Sequence, residues 1–512
     1  MTGRAQIPSE MHRSQMIRAL RPLVAATSVL ALCAALAACA VGPDFHRPTL
    51  KGTEGYGVGP TSADSGAGSD ASPLAPAYAL GAELPGQWWR MFHAQALDEL
   101  MARALHNNAD LDAARAALRA AHAQVRVQQA GLLPTADLSG QASREKDSAA
   151  LSPTLNVNTG PNQPPPLFSL YTVQLAIAYS PDVFGGVRRS VENARAQEEQ
   201  QRFELEASYL TLTSNLANAV IQAASLQAQV QANERLVAIA RQTLEIYRQE
   251  KALGQLAQGD VEAEVQLLAQ AQGALAPLRR QLAQARDQIA ALCGATPAEL
   301  QTPAIDFDAL ALPSPLPLSL PSKLVDQRPD IRAAEANLHA ASAAVGVAIA
   351  ARLPNITLGA TGGGASTAIG SVLTQGNNFW TLAGGFAQPV FEGGQLLAKQ
   401  HAAQAAYDQA RAQYRSTVID AFQNVADALH ALDADAQALD AATRADAAAA
   451  HAYQIAQGQQ ALGQIPGVQT LAAEQTYLSA RLTRIQARTA QLQDAAALFQ
   501  AAGGGWWNRK DS

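Results

Sequence analysis

From residue 187 to 253 the chain runs sixty-seven residues without Gly or Pro, and its apolar positions fall at alternating steps of four and three. Leu205, Tyr209, Leu212, Leu216, Ala219, Ala223, Leu226 and Val230 keep that step, as do Val237, Ala240, Leu244 and Tyr247, with Asn233 at the one missing position. A 3.5-residue repeat keeps a narrow seam on one side of a helix, which predicts coiled-coil packing rather than a globular core face. Such a helix is about 100 Å long, several times the hydrocarbon thickness of a bilayer, and needs partners of similar length. Residues 395–457 supply one: a second Gly- and Pro-free run, rich in Ala, with Tyr414, Val418, Ala421, Val425, Ala428 and Leu432 at the same steps.

Ahead of each rod the period changes to two. Ala136, Leu138, Gly140 and Ala142 alternate with Thr135, Asp137, Ser139 and Gln141, and Tyr171, Val173, Leu175, Ile177 and Tyr179 alternate with small or polar neighbours. Ile356, Leu358 and Ala360, then Trp380, Leu382 and Phe386, do the same in the second half. The runs predict strands at about 135–144, 170–181, 355–364 and 379–389. Runs of about ten residues that alternate in this way suit transmembrane β-strands, and soluble hairpins would alternate alike. Aromatic residues at the strand ends favour the membrane.

The alternation belongs to an internal repeat. Residues 110–134 align with 330–354 at a constant offset of 220, with thirteen of twenty-five positions identical, among them Asp110/Asp330, Leu118/Leu338, Val125/Val345 and Pro134/Pro354. Asn108 is placed to cap the first of these helices, and Pro329 takes the first position of the second, where a missing N–H costs nothing. Matching turns, Pro181-Asp182-Val183-Phe184-Gly185-Gly186 and Pro389-Val390-Phe391-Glu392-Gly393-Gly394, lead into the rods. Both rods stop at Ala-Leu-Gly-Gln, containing Leu253-Gly254 and Leu462-Gly463, where glycine signals a helix C-cap. Return helices follow at 260–292 and 466–499, and a Pro-rich stretch, 297–321, joins the halves. The unit is helix, strand, strand, long helix, turn, helix, and it occurs twice.

Composition narrows the class. Aromatics make up 5% and charged residues 16%, with alanine and glutamine dominant, which suits long helices packed through small side chains. Arg13, Arg18 and Arg21 precede the apolar run 23–36 and the sequence Leu36-Ala37-Ala38-Cys39, which predicts a signal segment over 1–38 ending at a lipobox-like acylation site on Cys39. Ala40 after the cysteine points to the outer rather than the inner membrane; ordinary secretion with Cys39 incidental is the plainer reading. Removing 1–38 takes away four arginines and Glu10 and moves the net charge from −6 to −9. No basic patch invites nucleic acid. Cys293, in an apolar helix end, reads as core, and no disulfide pair remains.

At this point the chain resembles the outer-membrane efflux (TolC-like) family, specifically its lipid-anchored NodT-type members. The resemblance rests on Cys39-Ala40-Val41-Gly42-Pro43-Asp44-Phe45, Trp88-Trp89 with Phe92, Arg328-Pro329-Asp330-Ile331 with Ala334-Glu335, and Gly503-Gly504-Gly505-Trp506. It implies a mostly α protein with a transmembrane β-barrel: a homotrimer whose protomers each give four strands to one twelve-stranded barrel and their helices to a periplasmic tunnel. It further implies a periplasmic adaptor (membrane fusion) protein and an inner-membrane pump as partners, and lipid anchoring in the outer membrane of a Gram-negative bacterium. The expected division is 1–38 signal peptide, 39–107 lead and equatorial segment, 108–294 first repeat, 295–327 connector, 328–502 second repeat and 503–512 tail.

No Walker loop, G-x-S-x-G, H-E-x-x-H or dinucleotide-binding glycine pattern is present, the histidines lack ligand spacing, and no catalytic residue, metal site or cofactor is expected. The expected sites are mechanical. Leu253, Gly254, Leu462 and Gly463 are the tip turns where the family docks its adaptor, although helix capping alone would also place glycine there. Family gates often carry an acid beside the return-helix leucine, but Ala472 follows Leu471 here. Asp260, Glu262 and Glu474 are the available substitutes, with solvated helix charge as the plainer alternative. The reading is a passive duct for small toxic compounds, with a protein-secretion duct and a non-pore coiled-coil lipoprotein as rivals.

Overall fold

Most residues of both seams are buried, and each strand run pairs. The computed structural model describes residues 40–49, 55, 56, 77–146, 167–303 and 305–509. Element order is β1 (Tyr78–Leu80), α1 (Gln95–Asn107), α2 (Ala109–Ala130), β2 (Thr135–Lys146), β3 (Leu167–Tyr179), α3 (Gly186–Ala252), α4 (Gln258–Leu292), β4 (Leu316–Leu318), α5 (Pro321–Gln327), α6 (Pro329–Ala350), β5 (Asn355–Ser366), β6 (Asn378–Ala387), α7 (Gln395–Ala461) and α8 (Gly467–Ala501). The order α2-β2-β3-α3-α4 returns as α6-β5-β6-α7-α8. The chain divides into two units: residues 1–46, 120–198 and 337–411, and residues 47–119, 199–336 and 412–512.

The first unit holds a sheet of order β2-β3-β5-β6, antiparallel throughout. Each strand differs by one to three residues at an end from the bounds the alternation predicts. Asp182 shapes the entry to α3, accepting the backbone N–H groups of Val187 (2.9 Å) and Arg188 (2.8 Å), two of the donors a helix start leaves unsatisfied.

The second unit is a helical packing centred on aromatic rings. Trp88 and Phe92 are fully buried and meet Phe499 with ring centroids 5.5 and 6.2 Å away, and Leu97 and Met101 of α1 are likewise fully buried. The tryptophan pair is therefore packing. Asn108 caps α2 as its position predicts, accepting from Leu111 N–H at 3.0 Å while its amide donates to the carbonyl of Leu292 at 3.1 Å. Cys293 is buried, donates to the Leu100 carbonyl, and has its thiol pushed up to about 11 by burial.

Helix α7 runs unbroken through Gly458 and stops at Ala461, where the second Ala-Leu-Gly-Gln predicts, because one glycine inside a long packed helix costs only about 1 kcal/mol. Two features depart from the pattern reading. The connector is not wholly irregular: Leu316–Leu318 pairs in parallel with Tyr78–Leu80, and Pro321–Gln327 forms a helix. Three-residue strands leave no periodicity to read.

Candidate channel wall, hairpin tips and inter-helix pair

Pairing register turns the alternation into two chemically distinct faces. One row across the sheet is Leu138, Leu175, Gly362 and Trp380, and the next is Ala136, Ile177, Ala360 and Leu382. Tyr179, Leu358 and Gly384 form a third. In the second row large and small residues alternate from strand to strand, while Leu138 faces Leu175 in the first and Tyr179 faces Leu358 in the third, apolar cross-strand pairs of the kind that stabilise a sheet. Leu138, Leu175, Ile177, Leu358, Trp380, Leu382 and Phe386 are nonetheless exposed. The opposite face reads Ser139, Gln174, Gly363 and Phe379, then Asp137, Ala176, Thr361 and Thr381. A continuous exposed apolar face of this size is an interaction surface, not a solvated one.

The hairpin tips are near-copies. Gly254 N–H donates to Lys251 and Gln255 N–H to Glu250, both at 2.9 Å; Gly463 to Gln460 and Gln464 to Gln459 repeat the distances. The φ angles are +75° and +71°, in the left-handed region that glycine enters without the Cβ penalty. Leu253 and Leu462 project with 74% and 75% of their surface exposed. An exposed leucine pair at equivalent positions is what a docking partner would cover.

The four acid-and-leucine positions separate. Asp260 takes up the start of α4, accepting the Ala257 N–H at 3.1 Å, and Glu262 accepts from Gln258 one turn away. Leu471 is buried in a cluster with Ile239 and Leu478. Glu474, buried on α8, receives a forked pair from Arg235 of α3, with Nε to Oε1 at 2.5 Å and Nη2 to Oε2 at 2.9 Å. That bond raises the Arg235 pKa despite some burial. Tyr453 of α7 stacks on Tyr477 of α8 at 6.1 Å, and its phenol is shifted upward by burial and by a hydrogen bond to Glu474. Three helices meet at one carboxylate. Arg235 belongs to no sequence motif; its only signal is that it follows the polar break at Asn233 in an otherwise apolar seam. Cys39 lies outside the described residues. Among the described residues no group of His, Cys, Asp or Glu could hold a metal ion, and no helix is long and apolar enough to cross a membrane.

The sequence pattern of outer membrane efflux proteins matches residues 100–295 and 320–504. The chain belongs to the outer membrane efflux protein family. Among its relatives, the probable efflux pump outer membrane protein TtgC of Pseudomonas putida is 30% identical over 478 residues, covering 93% of this chain and 94% of that one. The pyoverdine export outer membrane protein OpmQ of the same species is 29% identical over 455 residues, covering 87% and 94%. Among solved structures, the outer-membrane channel OprN superposes with a TM-score of 0.78 at 26% identity, covering 91% of this chain and all of that one. The open-state MtrE channel of Neisseria gonorrhoeae gives 0.72 at 25%, covering 93% and 100%. The family and its structural neighbours are channel proteins rather than enzymes, and this outer membrane efflux protein is an outer-membrane channel subunit.

Proposed function

We propose that three copies of this chain close into one twelve-stranded barrel and form the lipid-anchored exit duct of a tripartite efflux system for small toxic compounds. The observation that carries the reading is the sheet: one face apolar and exposed in register across four strands, with β2 and β6 left as edges. In hydrocarbon an unpaired edge leaves backbone groups without partners, so β6 of one copy must meet β2 of another. Two copies would give eight strands, whose interior side chains fill; three is the smallest ring that leaves a passage. The apolar rows then face lipid and the Ser, Thr, Gln and Gly rows face the lumen. This arrangement also disfavours a tethered spacer without a pore.

Acylation at Cys39 would hold the chain to the outer membrane. The matching tips, with Leu253, Gly254, Leu462 and Gly463, would receive a periplasmic adaptor protein, which joins the duct to an inner-membrane pump. Of the gate candidates we assign the role to Glu474, since its bond to Arg235 ties α8 to α3 and breaking that pair would free the hairpins. Asp260 and Glu262 serve helix α4 locally.

A charge placed on each face tests the wall. Leu175→Arg should destabilise the assembled barrel by about 2–4 kcal/mol, and Gln174→Arg, one residue away, by much less. Equal losses on both faces would remove the membrane assignment.

A further inference from the structure

The segment Val41-Gly42-Pro43-Asp44-Phe45 follows the acylation site, and the channel as described gives it no task. The structure builds a groove for it. Arg189, near the start of α3, has only 5% of its side chain exposed and spends its guanidinium on this segment. It donates to the carbonyls of Val41 (3.2 Å) and Gly42 (3.3 Å) and to Oδ1 of Asp44 (2.8 Å), with Glu192 at 2.7 Å on the other side. Val41 N–H donates to the Phe184 carbonyl at 3.1 Å, in the turn that leads out of β3. Phe45 stacks on His339 of α6 with centroids 4.5 Å apart, and His339 is itself held by Glu192 at 2.9 Å. Gly42 packs so closely on α6 that a Cβ there would lie 2.5 Å from the Gly346 Cα, and Ala40 packs equally closely on Gly185.

Nothing about this resembles a loose leader. Burying the guanidinium works against its charge, yet Asp44 and Glu192 leave the Arg189 pKa raised, and the same contact holds the exposed Asp44 carboxyl below its ordinary value. Both contributions come from elements bordering the sheet: Phe184 and Gly185 in the β3–α3 turn, and Arg189 one turn into α3. Residue 40 is therefore fixed against the exit of a membrane strand, with the acylated residue its covalent neighbour.

We propose that Arg189 is a positioning residue for the membrane anchor: it seats residues 41–44 beside the exit of β3, so that the acyl chains enter the bilayer at the rim of the same chain's own strands and promote their insertion. The inference rests on acylation of Cys39. A lipid held at the rim acts at high local concentration on the strands beside it, and a lipid on a slack tether does not, with the effect falling as a power of tether length.

The test uses the full chain in its own envelope, with three changes compared for palmitate labelling, helix content and yield of assembled protein in the outer membrane. Arg189→Ala should keep labelling and helix content and lower the assembled yield about tenfold. Insertion of about ten Gly and Ser residues between Cys39 and Ala40 leaves every contact of the groove intact and should lower the yield by a similar factor. Asp44→Glu, which keeps the charge, should retain most of it. A spacer variant that assembles at the unmodified level would overturn the proposal, since the anchor's position would then be immaterial; this arm decides even where Arg189→Ala fails to fold. An unmodified chain that takes up no palmitate would sink the acylation reading and this inference with it. Labelled chains with indifferent yields would sink this inference alone.

Discussion

The two hairpins begin as copies and end as different surfaces. Their turns share hydrogen-bond distances, φ angles and projecting leucines, and both join a 67-residue helix to a 35-residue one. Yet α8 is buried along its length, at Leu471, Glu474, Leu478, Ile485, Thr489 and Leu492, whereas α4 buries one seam and leaves Val265 and Leu267 exposed. The contacts explain it. Helix α8 meets α3 through Arg235–Glu474, Thr489–Ser225 and Gln493–Gln222, while α4 meets α3 through Arg279–Glu234 and Arg286–Gln227 and meets the α2 cap only at its end, through Asn108–Leu292. A repeat fixes the backbone of each copy, and the neighbours each copy packs against decide which copy is interior. In the proposed trimer the open side of α4, like the edges of β2 and β6, would meet a second protomer.

The largest expected difference between the hairpins is in packing. Leu478→Ala removes a side chain buried against Ile239 and Leu471 and should cost about 2–5 kcal/mol. Leu267→Ala in the other return helix, 43% exposed in one chain, should cost under about 1 kcal/mol of protomer stability while weakening association between protomers. Thermal unfolding of both variants, read with the oligomer mass, separates the two effects.

At the tips the hairpins should respond alike. Gly254→Val and Gly463→Val place a β-branched residue at positive φ, straining each turn by about 1–2 kcal/mol. Abundance and outer-membrane location should persist, with adaptor crosslinking and efflux both sharply reduced in the double variant. Unchanged efflux would remove the docking role of the tips, and loss of assembly would make them structural alone.

Charge should separate the hairpins again. Glu474→Gln withdraws the partner of Arg235 and should cost about 1 kcal/mol, a modest figure because the arginine is half exposed. Entry of a normally excluded antibiotic should rise with it. Glu262→Gln, whose partner is a neighbouring glutamine on its own helix, should leave both readings unchanged.

The smallest effect is a titration confined to the second hairpin. Burial, then a hydrogen bond and the charge of Asp494 on α8, push the Asp435 carboxyl of α7 up to about 7. Its raised value means the folded chain favours the protonated form, so the stability it contributes is complete at acid pH and is lost as pH rises through about 7. Melting should therefore be higher at pH 5.5 than at pH 8, and Asp435→Asn should flatten that difference.

Much of this was legible in the chain. The 3.5-residue seams gave both rods, the twenty-five-residue repeat gave the order of elements, and alternation around Leu138, Leu175, Leu358 and Leu382 gave the strands and the face each residue takes. The remainder depended on contacts between distant segments. That Glu474 finds Arg235, 239 residues away, and that Asp44 finds Arg189 are facts of packing with no local period. The strands β1 and β4 are too short to leave a pattern, and the unequal burial of two near-identical hairpins cannot be read from a repeat that treats them as equal.

In the proposed trimer an incomplete four-stranded sheet is completed by identical copies. Native mass measurement of the protein extracted from outer membranes in mild detergent tests that directly. A species of three chains, each carrying its lipid, is the predicted result; a stable single chain with full helix and strand content would contradict it.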